Sequence, residues 1–239
     1  MPLTHRRFCL LASLLLLSGC GLIDELGNFK GINFQLPERK YTVSTDDPSW
    51  VAPPAGGVPA VTCGPGGAVM DCCNPGAPVP PIDCMRSPLF CEAGACELRF
   101  SYDQVQMVDL AKEVPSLASS KGQIFSQVLL TTIDVAIDAN TMNVPLPPVK
   151  IYLAPAGVTT AANPEAKRIA TLSMKTPGFT GMESVPLDAA AQQLFSMYAR
   201  AYQTPFNIII STEVVLRSGS MIPTGHLDFR VGGKVQAKF

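Results

Sequence analysis

From Phe206 to Arg217 and again from Leu227 to Phe239 the chain alternates apolar and polar residues with a period of two, and this constrains the fold more than any other feature. Phe206, Ile208, Ile210, Val214 and Leu216 share one phase, against Asn207, Ser211, Glu213 and Arg217. Leu227, Phe229, Val231, Val235, Ala237 and Phe239 oppose Asp228, Arg230, Lys234, Gln236 and Lys238. Successive side chains of a strand point to opposite faces, so such runs predict antiparallel sheets with one packed face and one wet face. The stretch Leu98-Arg99-Phe100-Ser101-Tyr102 alternates in the same way. A looser alternation from Val128 to Asp138 sets Leu129, Ile133, Val135 and Ile137 against Thr132, Asp134 and Asp138, with Leu130 and Ala136 breaking the polar phase. Val149, Ile151 and Leu153 predict a shorter strand.

Ile32, Phe34 and Leu36 alternate ahead of Pro37, and Tyr41 and Val43 follow it. Proline cannot donate to a ladder, so this segment predicts an edge strand of the same system. One helix interrupts the strands. Asp188 is its expected N-cap, Leu194, Met197, Tyr198 and Ala201 its apolar stripe, and Pro205 its stop. The expected fold is mainly β: an antiparallel β-sandwich with one amphipathic helix.

Residues 45–96 have a different composition. Pro53-Pro54-Ala55-Gly56-Gly57, Gly64-Pro65-Gly66-Gly67 and Pro80-Pro81 form turns and extended chain, and large apolar residues are scarce. Such a segment cannot build a core and needs covalent cross-links. Six of the eight cysteines supply them: Cys63, Cys72, Cys73, Cys84, Cys91 and Cys96. An even number so concentrated reads as three disulfides inserted between the first and second sandwich strands, with the pairing left open. A bond between the adjacent Cys72 and Cys73 would close a strained ring, so each is expected to pair elsewhere. No Cys-x-x-Cys pair occurs, and the spacings lack the form of metal ligands.

The N-terminal residues explain the other two cysteines. His5, Arg6 and Arg7 precede an apolar run from Phe8 to Leu17 that is too short to span a bilayer, and Leu17-Ser18-Gly19-Cys20 closes it. These four residues resemble the lipobox of bacterial lipoproteins. The resemblance implies cleavage after Gly19, removal of Cys9 with the leader, and lipidation of Cys20 with diacylglyceryl and palmitate-like acyl chains. Two or three such chains, at about 0.8 kcal/mol per buried methylene, make a durable anchor. Gly21 rather than Asp follows the cysteine, which in Gram-negative members implies the outer membrane. The expected organisation is a leader over 1–19, a lipidated tether over 20–31, first strands over 32–44, the cysteine-rich insertion over 45–96 and the main sandwich over 97–239.

The formal net charge of −1 and the lack of a basic cluster leave no electrostatic footprint for nucleic acid. His226 is the only histidine after the leader; it lies two residues before Asp228, yet no Gly-x-Ser-x-Gly elbow accompanies it. Asp138-Ala139-Asn140-Thr141-Met142-Asn143 has oxygen ligands at alternate positions like the start of a calcium loop, but lacks the turn glycine and the closing acid, so a turn is expected. Gly232 and Gly233 do not fit the terminal signal of outer-membrane barrels that Phe239 resembles. Asn143-Val144-Pro145-Leu146-Pro147-Pro148-Val149 resembles late-embryogenesis-abundant type 2 sandwich domains, which implies a sandwich and carries no functional residue. The expectation is an envelope lipoprotein without catalysis, metal or cofactor, held to the membrane by lipid and contacting an envelope protein. The alternatives are a hydrolase using His226, or a carrier of an apolar ligand between the sheets.

Overall fold

The computed structural model describes residues 31–51, 53–54, 57–64, 69–74, 83–85, 87–118 and 125–238. The leader, Cys9, Cys20, the tether up to residue 30 and Phe239 lie outside the described residues. The described strands are β1 (Gly31–Ser44), β2 (Leu89–Glu92), β3 (Ala95–Val108), β4 (Gln127–Asn140), β5 (Val149–Pro155), β6 (Lys167–Leu172), β7 (Gly181–Pro186), β8 (Phe206–Arg217) and β9 (His226–Lys238). Short helices α1 (Val69–Cys73), α2 (Leu110–Glu113) and α3 (Pro115–Ala118) accompany the longer α4 (Ala189–Arg200).

The strands form an antiparallel β-sandwich. One sheet has the order β1-β9-β4-β7 and the other β2-β3-β8-β5-β6. Without β2, the chain alternates between sheets at every step except the β5–β6 hairpin, which is the interleaved order of a double-sheet jelly roll. The alternating apolar residues meet between the sheets. Tyr41 stacks on Phe229 at 5.5 Å, and its hydroxyl reaches across to the Ile208 carbonyl at 3.4 Å. Burial of that phenol raises its pKa above the usual tyrosine range.

β1 is an edge strand paired only with β9, and its register shifts between Leu36 and Arg39, around Pro37. A missing N–H is harmless there because the ladder is already interrupted. β4 shifts register between Leu130 and Ile133, on the other side of β9. Both irregularities face Gly232-Gly233. A Cβ on Gly233 would come within 2.8 Å of the Leu130 side chain and 2.9 Å of the Thr132 carbonyl oxygen. The shift also corrects the expected β4 phase: Val128 and Leu130 are buried with Ile133, Val135 and Ile137, whereas Leu129 is only half-buried.

Two further expectations change. Asp188 caps α4 by accepting the Ala191 N–H at 2.7 Å, but the buried stripe is Ala191, Phe195 and Ala199, and Met197 is exposed. The helix crosses from β7 in one sheet to β8 in the other while resting on β4 and β6. That path rotates its core-facing side away from the stripe centred on Leu194 and Met197. The face of β8 expected to be wet is dry over its first half, because the segment after β5 folds over it. Asn207 donates to the Ala156 and Val158 carbonyls at 2.9 and 2.8 Å. Ile209 packs there with Ala154, Val158 and Ala166, and Ser211 is buried as well.

Candidate functional site at the disulfide-braced end

β1, β4 and β8 finish at one end of the sandwich, where β3, β5 and β9 begin, since Ser44 pairs with His226, Asn140 with Leu227 and Arg217 with Glu97. The cysteine-rich segment sits at this end. β2 and β3 form a hairpin whose two-residue turn, Ala93-Gly94, has φ of 49° and 82°, the doubly positive pattern of a tight type I′ connection. The hairpin adds β2 to the edge of the five-stranded sheet.

The disulfides join Cys63 to Cys91, Cys72 to Cys96 and Cys73 to Cys84. Cys91 and Cys96 face each other across the hairpin, yet each bonds outward to a different part of the segment. The hairpin is thereby stapled both to the strand-like chain around Thr62, which bridges to Ala95, and to α1. The Cys63, Cys72 and Cys96 sulfurs lie within 4.8 Å of one another and are buried. All three are consumed in disulfides, which leaves no thiolate among them for a metal ion.

Next to this cluster, Glu97 is 1% exposed and faces two cations. Arg217 Nε donates to it at 2.5 Å and Arg99 Nη2 at 3.1 Å. The bond from Arg217, followed by that from Arg99, holds the Glu97 carboxyl below its usual range against the opposing effect of burial. Trp50 closes the neighbouring corner, with its ring edge-on to Phe100 at 5.0 Å and tilted to Tyr102 at 5.7 Å. Tyr102 donates to Asp47 at 2.9 Å, and Ser49 first, then Tyr102, draw the Asp47 carboxyl downward. A cleft of about 260 Å³ opens beside Trp50, between the β4–β5 and β8–β9 connections.

His226 starts β9 at this end, outside that cleft. Its Nδ1 is 3.0 Å from Thr141 Oγ1 and its Nε2 is 3.7 Å from Asp228 Oδ2, with about two-fifths of each of the His226 and Asp228 side chains exposed. The Thr141 hydroxyl also accepts the His226 backbone N–H at 3.0 Å, and Thr141 N donates to the His226 carbonyl at 2.8 Å. The threonine thus extends the β4–β9 ladder by one pair. The loop expected to form a turn rather than a calcium site is bound internally. Asp138 receives two bonds from Arg230 at 2.9 and 3.0 Å, Asn140 donates to the Thr176 carbonyl at 2.8 Å, and Asn143 exchanges bonds with Ile222 and Thr224. The Arg230 bonds lower the Asp138 pKa.

Sequence reasoning named the cysteines and His226 but missed Trp50, Glu97 and the cleft. No local pattern marks them, since their partners come from distant strands.

No family model and no curated protein matches this chain. Solved structures similar to it include the decameric BFDV capsid protein, with 8% identity over 88% of this chain and 100% of that one, at a TM-score of 0.29. Turnip yellow mosaic virus gives 10% identity over 60% of this chain and 92% of that one, at 0.23. Desmodium yellow mottle tymovirus gives 12% over 69% and 94%, at 0.22. Likenesses this distant say nothing about activity.

Proposed function

We propose that the protein is a lipid-anchored lipoprotein of the bacterial envelope, held in the outer membrane through Cys20, that serves as an interaction or structural component rather than a catalyst. The observation that carries this reading is Leu17-Ser18-Gly19-Cys20 at the end of a charged and then apolar leader. β1 begins at Gly31 and over its 14 residues reaches the braced end about 40 Å away, so the disulfide-bearing segment lies at the opposite end of that strand from Gly31. Among the described residues no helix is long and apolar enough to cross a membrane.

The test has two readouts. Mass measurement of the purified protein should give an N-terminus at Cys20 with diacylglyceryl and acyl additions, and Cys20→Ser should release the protein from the membrane fraction. A photo-crosslinker at Met85 or Phe90, exposed at the braced end, should trap an envelope protein in intact cells. The same group at exposed Met197 on α4 should not. An unmodified chain would overturn the anchor. Equal labelling from all three positions would overturn the contact surface.

A further inference from the structure

We propose that the disulfide-bearing segment carries out an internal thiol–disulfide exchange. A small thiol enters at Cys91 and releases Cys63, and Cys63 then opens the Cys72–Cys96 bond and frees α1 from the β2–β3 hairpin. The Cys63 sulfur lies within 4.8 Å of both the Cys72 and the Cys96 sulfur, although it is bonded to neither. Two disulfides are thus side by side, and a sulfur released from one stands against the other. Among the described residues, Cys73 and Cys84 belong to no such group.

Access sets the order of events. Cys63, Cys72 and Cys96 are 2%, 0% and 1% exposed, so a thiol in solvent does not reach them. Cys91 is half-buried, on a strand where Phe90 and Glu92 on either side of it are exposed. Attack there leaves the incoming sulfur on Cys91 and expels Cys63 as a thiolate. Burial disfavours that charge, which slows the release and drives the thiolate onto the nearest disulfide. The backbone around Cys63 is held without the bond to Cys91. Cys63 N donates to the Gly94 carbonyl at 3.1 Å, Thr62 bridges to Ala95, and Gly64 N donates to the Asp71 carboxylate of α1 at 3.3 Å. The freed side chain has only to turn about χ1 to meet its target.

Both products have the same effect on α1. Attack on Cys96 forms Cys63–Cys96 and leaves a thiol on Cys72; attack on Cys72 forms Cys63–Cys72 and leaves a thiol on Cys96. Either one breaks the bond that ties α1 to β3. One S–H is consumed and one is formed, and the proton of the incoming thiol ends on the last sulfur released. No oxidant or reductant is required. The inference is independent of the lipid anchor and holds or fails without it.

The test uses the full-length, oxidised protein and stoichiometric glutathione at about pH 8, where its thiolate is available. The reaction is stopped by acid denaturation, free thiols are blocked with N-ethylmaleimide, and peptide fragmentation in a mass spectrometer locates both groups. Chains with glutathione on Cys91 should carry at least as much maleimide on Cys72 and Cys96 together as on Cys63. Chains with glutathione on Cys73 or Cys84 should carry maleimide only on the other member of that pair. Maleimide on Cys63 alone in the Cys91 adducts would overturn the exchange. So would glutathione on Cys72 or Cys96 in place of Cys91, or an equal spread of maleimide from the Cys73–Cys84 pair.

Discussion

Gly225 is the position at which a single methyl group should do most damage at the braced end. It lies just before β9 with φ of +106°, and its N–H and carbonyl both engage Thr45, at 3.1 and 3.2 Å from the hydroxyl. A Cβ built there would meet the Thr141 carbonyl group, with its carbon at 2.8 Å and the Met142 Cα at 3.1 Å. These are backbone atoms of the β4–β5 connection and cannot rotate away. The left-handed backbone costs an ordinary residue about 1–2 kcal/mol, and forcing the two connections apart adds about 1–3 kcal/mol. Gly225→Ala should therefore lose about 3 kcal/mol. For a domain of this size that lowers the melting midpoint by about 6–12 °C. Gly219→Ala is the matched control, because Gly219 also has a positive φ, +76°, but nothing lies within 4 Å of its added Cβ. It should pay the backbone term alone, about 1 kcal/mol or about 2–4 °C. Differential scanning calorimetry of both variants decides the matter. Equal drops would show that the close approach of the two connections has no energetic weight, and the packing argument for this end would fall.

The disulfides and Glu97 give two more tests. By loop-closure entropy, replacing Cys63 and Cys91 together by Ser, over a separation of 28 residues, should cost about 3.6 kcal/mol. Replacing Cys73 and Cys84, over 11, should cost about 2.8 kcal/mol, and urea unfolding that ranks the pairs the other way would refute the entropic account. The folded-state pKa of Glu97 is depressed, so its stabilisation is present above the ordinary carboxylate pKa and is lost as pH falls through the lower folded value. Between about pH 5 and pH 3 the wild type should lose more stability than Glu97→Gln, and parallel pH profiles would show that the Arg217 and Arg99 contacts do not hold the charge.

Strands with one dry face were open to sequence reading because burial and period two coincide. Leu98, Phe100 and Tyr102, or Leu227, Phe229 and Val231, could be assigned to the core residue by residue. The phase failed at Leu129 and Leu130, where a register shift against β9 resets it, and such a shift is a property of the pair of strands. β7, with one buried residue among six, carried no alternation to read. The α4 stripe was misplaced because several of its faces carry apolar side chains, and only its seat on β4 and β6 selects among them.

The sequence by itself determined the local facts: alternating strands, an edge position at Pro37, the Asp188 cap, and a cysteine-rich segment that needs bridges to hold a shape. These follow from backbone chemistry and from side chains close together in the chain. Only the tertiary structure decided which of the open pairings joins the six cysteines, the jelly-roll order of the sheets, the burial of Glu97 beneath Arg217 and Arg99, and the cleft beside Trp50. Each depends on residues separated by tens to more than a hundred positions. Their proximity is fixed by how the two sheets interleave, which short-range periodicity does not encode.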